Sequence, residues 1–263
     1  MQKLCNALTI TNIQCTRIVK AGNLCWQHRA QSKPIIQRKL DPLRTEDTGK
    51  IFEMAICLTF NTPYNGNYKY DINEAKALVQ RLSRLKDFFP ECSHTAEKGA
   101  QYDFTSCDDK HLSAKSTKKD GKVAPQLIGQ PHPRKFCELI GIEYSNNRDL
   151  KRYIQENVEK ILSILEKMTF TCPIVYWNQK THRICYITQT SPILWNTFGY
   201  RWTCNWDDWN NSATLKIVVD GNVEYALLEV QFHSKSRKNM AVRWFFENLL
   251  KICSSHLNIV EIP

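Results

Sequence analysis

The sequence predicts an α+β, or mixed α/β, protein, and three observations support this. Apolar residues recur at helical spacing before residue 90 and again over residues 149–168. A strand–turn–strand pattern occupies residues 100–118, and from residue 170 onwards the chain is rich in short strand-like runs. The order of helices, a hairpin, a helix and several strands is typical of mixed architectures, and 263 residues suffice for one large domain.

The helices are indicated by their apolar stripes. The first predicted helix is "TGKIFEMAICLTFN", which follows a polar segment at 32–49 that has the composition of a linker. Asp71 is a plausible N-cap of the second helix, and Pro90 ends it. The third helix, "DLKRYIQENVEKILSILEKM", covers residues 149–168 and carries an apolar stripe at Ile154, Val158, Ile161, Leu162 and Leu165.

The strands follow from alternation and turn signals. A turn centred near Asp108 makes the flanking runs antiparallel and sets Asp103 roughly opposite Ser113. "CPIVYWN", "RICYITQ" and "LKIVVDGNVEYALLEVQFH" are strand-like, and "DGN" at 220–222 predicts a tight hairpin turn.

Charge and cysteine content narrow the class of protein. The net charge of +10 favours an anionic partner, of which nucleic acid is the commonest. The chain has 11 cysteines and no recognisable signal peptide, which argues against a disulfide framework and predicts an intracellular protein. Cysteines in apolar surroundings, such as those at 57, 137 and 253, are expected to be small buried side chains.

The N-terminal segment has the ligand spacing of a zinc site. Cys25 and His28 form a Cys-x-x-His pair, and Cys5 and Cys15 supply two further thiolates for tetrahedral zinc. A segment of roughly 30 residues cannot bury a core unaided, so a metal would stabilise it. We therefore expect residues 1–33 to form a basic zinc-binding module that holds DNA or caps the next domain, with four unrelated residues as the alternative.

This pattern resembles small zinc-binding modules of the form "C…T…C-x-R…G…C-x-x-H". They occur at the ends of proteins from large DNA viruses and some microbes. The resemblance implies a protein of microbial or large-DNA-virus origin.

The hairpin at 102–119, "YDFTSCDDKHLSAKSTKK", groups side chains suited to phosphodiester hydrolysis. Ser113 and Lys115 share one face of their strand, and Asp103 lies opposite them. An Asp can hold a divalent cation and a nearby Lys can orient the attacking water, which together neutralise the charge of the phosphate. The alternative interpretation is a basic surface hairpin.

This arrangement resembles the PD-(D/E)XK nuclease core, the fold of most type II restriction endonucleases. The resemblance covers about residues 45–250 and implies an endonuclease domain at 34–263, with a mixed sheet flanked by helices and a strand-rich DNA-recognition part. It implies Mg²⁺ held by Asp103, the Ala114 carbonyl and Glu53 of the first helix, with Lys115 and Ser113 completing the catalytic set. The continuation "STKKDGKVAPQLIGQ" is similar to the family's basic loop and Gln-containing segment, which adds Gln126 and Gln130 as DNA contacts.

The sequence departs from the family pattern at two positions. Ser113 stands where the family usually has Asp or Glu, and Tyr102 replaces the Pro before the acid. A second carboxylate must therefore come from elsewhere. The candidates are Glu53, Asp108 and Glu138, and Glu53 is preferred because its helix precedes the hairpin as the family's helix does.

A rival site lies in "YALLEVQFHSKSRK". Glu229-x-Gln231 can replace acid-x-Lys, with Asp220 as the upstream acid. If "DGN" is a tight turn, Asp220 and Glu229 are roughly 20 Å apart at about 3.3 Å per residue, too far to share a metal. The polar face of this strand still suits DNA contacts, and it resembles "EIQFH"-type segments of some restriction enzymes; the predicted contacts are Gln231, His233, Lys235, Arg237, Lys238 and Arg243. A solvated strand face is the alternative.

These observations converge on one leading hypothesis. It is a Mg²⁺-dependent, sequence-specific endonuclease of type II restriction type, acting on double-stranded DNA and carrying a structural Zn²⁺ module. A homodimer would suit cleavage of both strands of a palindrome. The alternatives are a non-catalytic, basic, zinc-containing nucleic-acid-binding protein and a nuclease acting on structured or single-stranded nucleic acid.

Overall fold

The computed structural model describes residues 45–96, 102–118, 121–219, 223–233 and 239–263. The chain divides into two compact units, Met1–Leu43 and Arg44–Pro263, and all of the described elements belong to the second. Several predicted residues lie outside the described ranges: the four zinc ligands Cys5, Cys15, Cys25 and His28, the rival acid Asp220, and the DNA contacts Lys235, Arg237 and Lys238.

The described chain is a mixture of helices and strands, as the sequence predicts. The helices are α1 (Thr45–Phe60), α2 (Ile72–Leu82), α3 (Pro133–Leu139), α4 (Asn147–Glu156), α5 (Val158–Thr169) and α6 (Phe246–Ile252). The strands are β1 (Cys92–His94), β2 (Phe104–Ser106), β3 (His111–Thr117), β4 (Lys122–Val123), β5 (Ile174–Asn178), β6 (Arg183–Gln189), β7 (Gly199–Trp202), β8 (Ser212–Val219), β9 (Val223–Phe232), β10 (Met240–Phe245) and β11 (Leu257–Ile262). Within these ranges, no helix has the length and apolar character needed to cross a bilayer.

Within the described residues, the strands form two sheets. The first has six strands in the order β1-β2-β3-β5-β6-β11, and the second has five in the order β4-β10-β9-β8-β7. In the first sheet β3 and β5 run parallel, whereas its other pairs are antiparallel, so this sheet is mixed. The second sheet is antiparallel throughout.

The first sheet separates two apolar cores. Because side chains alternate along a strand, Val175 of β5 packs with α1 and α2, while its neighbours Ile174 and Tyr176 face the opposite core. That opposite core also takes in the inner face of the second sheet and helices α3 to α6. Both faces of the first sheet are therefore covered by packed elements in the described part of the chain.

Two helices differ in extent from the sequence prediction. The helix predicted over 149–168 is interrupted at Asn157, whose backbone leaves the helical region with φ −122° and ψ 42°. Its side-chain amide and its backbone N–H both donate to the Tyr153 carbonyl, at 2.9 Å and 3.0 Å, and its non-helical backbone marks the point where α4 ends and α5 begins. Helix α2 ends at Leu82 and continues as a 3₁₀ turn over Ser83–Asp87, while its predicted cap holds: the Asp71 carboxylate accepts from the Asn73 N–H at 2.9 Å.

Candidate active site

The β2–β3 hairpin has the predicted register. Phe104 pairs with Leu112 and Thr105 with His111 in an antiparallel ladder. The turn is closed by the Ser106 N–H, which donates to the Lys110 carbonyl at 2.8 Å, and Asp109 adopts a positive φ of 58° that Asp tolerates better than most residues. Continuing this register places Asp103 opposite Ser113.

Asp103 stands where the ladder stops. Its Oδ2 accepts from the Ala114 N–H at 2.7 Å and from the Ser113 hydroxyl at 3.0 Å, so the carboxylate takes the place of the next ladder partner. The Lys115 Nζ lies 3.5 Å from the same oxygen. The side chains of Lys115 and Asp103 remain 23% and 21% exposed, so the pair is held by the protein yet accessible to a substrate.

Glu53 is placed in a different set of contacts. Leu112 and Ala114 pack into the core on the α1 side, so alternation directs Ser113 and Lys115 to the other face of β3. The Asn65 N–H donates to His94 Nδ1 at 2.9 Å, which leaves the proton on Nε2, 3.4 Å from Glu53 Oε2. The structure thus brings Glu53 to buried His94 rather than to Asp103 or Lys115.

Glu53 nevertheless lies in the neighbourhood of the hairpin. The Tyr64 hydroxyl is 3.5 Å from the same Glu53 oxygen that faces His94. His94 pairs with Phe104 of β2, the residue that follows Asp103. One strand pairing therefore connects the two carboxylates.

The other two carboxylate candidates lie apart from Asp103. Asp108 sits in the hairpin turn with Lys110 Nζ at 2.6 Å, and hydrogen bonds from Lys110 and then Ser106 lower its pKa. Glu138 is exposed on α3 and pairs with Lys135 at 3.0 Å. Among the described residues, no group of three or more His, Cys, Asp or Glu side chains could hold a metal ion.

Sequence reasoning missed Cys172, which lies beside the cluster. Burial raises the pKa of its thiol to about 11, and the nearby charges of Asp103 and Lys115 act on it in opposite directions. Its Sγ–H donates to Gln126 Oε1 at 3.6 Å, which places the predicted DNA contact Gln126 next to the cluster. No sequence pattern indicates that Cys172 lies near Asp103 and Lys115, because the parallel pairing of Ser113 with Ile174 is what brings it to them.

The described part of the β9 polar face is formed as predicted, and Arg243, the predicted cation that lies within the described residues, has partners there. Leu228, Val230 and Phe232 are buried on one face, and Glu229 and Gln231 occupy the other. Glu229 binds Lys122 Nζ at 3.1 Å and Arg243 Nη2 at 2.6 Å, so this acid is neutralised by lysine and arginine.

Two further predicted contacts lie near the end of β9. The backbone N–H of His233 donates to the Asn239 carbonyl at 2.9 Å. The Asn239 side-chain amide lies 3.3 Å from Gln130 Oε1. Gln130 and His233 are thereby gathered where β9 and β10 meet.

Comparison with known proteins adds a family to this geometry. No known family profile matches the chain, and no solved structure matches it. The chain is 38% identical over 238 residues to "Type II restriction enzyme CviAII" of Paramecium bursaria Chlorella virus 1, an alignment that covers 88% of this chain and 68% of that protein. With this identity over most of both sequences, the chain belongs to the family of type II restriction enzymes.

Proposed function

We propose that the protein is a Mg²⁺-dependent endonuclease that cuts double-stranded DNA at a short specific sequence. The observation that carries this proposal is the convergence of Asp103, Ser113 and Lys115 at the point where β2 parts from β3. An acid and a lysine held together at a solvent-accessible strand end suit hydrolysis of an anionic diester. The relationship to a type II restriction enzyme supports DNA as the substrate.

The donor chemistry of the cluster fits Mg²⁺. This ion is bound through oxygen, often by one or two carboxylates, with water and substrate phosphate completing its shell. In a strand, the N–H and C=O of one residue point to the same side, so the Ala114 carbonyl faces the gap beyond β2 together with Asp103. Asp103 and the Ala114 carbonyl would hold the ion, with Glu53 as the proposed second carboxylate; the bound ion would neutralise charge on the phosphate and acidify a water.

The protein side chains do the remaining work. The Ser113 hydroxyl and the Ala114 N–H fix Asp103 Oδ2, which leaves Oδ1 for the ion. The Lys115 ammonium orients the attacking water and donates to the phosphate oxygens as negative charge builds up on them. Ser113 supports Asp103 and does not itself supply the missing carboxylate.

We assign the DNA contacts to polar and basic side chains at the ends of the strands, in a chain whose net charge is positive. Gln126 lies beside the catalytic cluster, and Gln130, Gln231 and His233 lie on or near β9. Together with the residues at 235, 237 and 238, they would contact bases and phosphates, and Arg243 lies beside Gln231 on the neighbouring strand. A homodimer would set two such sites on the two strands of a palindrome.

Digestion of DNA of known sequence tests the proposal. With Mg²⁺ we expect discrete fragments whose mapped ends share one short sequence, and no cutting when EDTA removes the ion. A smear would indicate a nuclease without site specificity. Intact DNA at all protein and Mg²⁺ concentrations would indicate a nucleic-acid-binding protein without catalysis.

The zinc module remains a proposal for the N-terminal unit. We expect the purified protein to contain close to one zinc per chain, bound by Cys5, Cys15, Cys25 and His28. Cys25→Ser removes one thiolate and should abolish stoichiometric zinc, as measured by elemental analysis. Cys107→Ser, which changes an exposed cysteine of the β2–β3 turn, is the matched control and should keep the metal. Equal zinc in both variants would contradict the assignment.

A further inference from the structure

Gln231 and Arg243 on the outer face of the second sheet form a unit. Arg243 faces Glu229 directly across the β9–β10 ladder, and Gln231 is its diagonal neighbour on the same face. Arg243 Nη2 donates to Glu229 Oε2 at 2.6 Å and to Gln231 Oε1 at 2.8 Å. The Glu229 side chain is only 12% exposed and is also bound by Lys122, so this buried carboxylate holds the Arg243 guanidinium in place.

This arrangement fixes which end of the Gln231 amide faces outwards. An amide has an acceptor oxygen and a donor NH₂ group. Either of them can point outwards unless a hydrogen-bond partner fixes the orientation of the amide. Arg243 can only donate, so it selects the oxygen and leaves the NH₂ group directed away from it. Among the described residues, the Gln231 NH₂ is neither hydrogen-bonded nor buried.

We propose that Arg243 is a positioning residue for sequence reading, which holds Gln231 with its NH₂ donors presented to a base edge in the major groove. The proposal rests on the proposed function and names the recognised chemistry: an acceptor edge, as offered by guanine O6 and N7, adenine N7 or thymine O4. The cytosine edge, whose major-groove group is the N4 donor, is disfavoured.

An ion cluster that merely braces the sheet is the competing explanation, and the chain supplies a control for it. On the same sheet, Glu224 binds Lys216 Nζ at 2.9 Å and Arg201 Nη1 at 3.0 Å. Both clusters join one glutamate to one lysine and one arginine across neighbouring strands. In the described part of the chain, the Arg243 cluster holds an amide and the Glu224 cluster does not.

The experiment uses linear DNA carrying a randomised stretch, with the ends of the cleaved molecules sequenced. In Gln231→Glu the side chain still accepts from Arg243 but presents no donor. At one base pair of the site we expect its preference to move from an acceptor base towards cytosine by about 10-fold or more, since one good base contact discriminates by that order. Preferences at the other positions should stay unchanged.

Arg243→Met frees the amide and should lower discrimination about 10-fold at that same position, in line with the loss of one oriented base contact. Arg201→Met, which opens the matched cluster, should leave the whole preference profile unaltered. A uniform loss of cutting at every site in Arg243→Met would mean a structural role only. An unchanged profile in Gln231→Glu would overturn the proposal.

A failure of the base-recognition proposal can be distinguished from a failure of the proposed cleavage activity. The same DNA pool can be selected by binding in Ca²⁺, so the position-specific shift of Gln231→Glu is measurable even if wild-type protein does not cleave. If Arg243→Met does not fold, Glu229→Gln can be used instead. It weakens the contact that holds Arg243 and should lower the base preference at the same position of the site. An unchanged profile in that folded variant would also reject the positioning role.

Discussion

Lys115→Met is expected to lower cleavage of the cognate DNA by about 10²–10³-fold, the cost typical of removing one donor that stabilises transition-state charge. Lys115 Nζ lies 3.5 Å from Asp103 Oδ2, at the accessible end of the β2–β3 hairpin. Methionine keeps most of the length of the side chain while removing its charge. Single-turnover cleavage in Mg²⁺, together with DNA binding in Ca²⁺, would show that the loss lies in catalysis.

The same hairpin contains a matched control. Lys110 is also paired with an aspartate, Asp108, at 2.6 Å, but in the exposed turn. If the hairpin were only a basic surface, Lys110→Met and Lys115→Met would weaken DNA binding to a similar small extent and leave cleavage near wild type. Large loss in Lys115→Met alone supports the catalytic assignment.

The second carboxylate can be tested in the same assay. If Glu53 joins Asp103 on the ion, Glu53→Gln should raise the Mg²⁺ concentration needed for half-maximal cutting. If Glu53 serves only to hold His94, that concentration should not change.

Glu166→Ala is expected to lower the free energy of unfolding by about 3 kcal/mol or more. The substitution leaves buried N–H donors without an acceptor, and each unsatisfied donor costs about 1–3 kcal/mol. Glu166 is a buried carboxylate on α5 that accepts from the Ile193 N–H at 2.9 Å and from Trp195 Nε1 at 2.5 Å. Gln189 Nε2 donates to it at 2.5 Å as well. These bonds tie the segment after β6 to the helix.

Thermal unfolding measures this cost. For a domain of this size, about 3 kcal/mol corresponds to a fall of roughly 6–12 °C in Tm. Glu159→Ala removes an exposed carboxylate from the same helix and should change stability by no more than about 0.5 kcal/mol. Equal melting temperatures for the two variants would show that Glu166 contributes no more than a surface charge.

The sequence by itself determined the features that depend on near neighbours. The pairing of Asp103 with Ser113 follows from a short turn, and the outward side of Glu229 and Gln231 follows from strand alternation. The cap at Asp71 is likewise a contact between residues two positions apart. These features were predictable because chain geometry fixes them before any tertiary contact forms.

Tertiary structure alone decided what the distant segments contribute. The parallel pairing of β3 with β5 brings Cys172 and, through it, Gln126 to the proposed catalytic cluster of Asp103, Ser113 and Lys115. The β9–β10 ladder gives Arg243 its partners, and the packing of α1 against the first sheet directs Glu53 to His94. Which segments meet depends on burying apolar faces against one another at the expense of loop-closure entropy, and no local pattern encodes that balance.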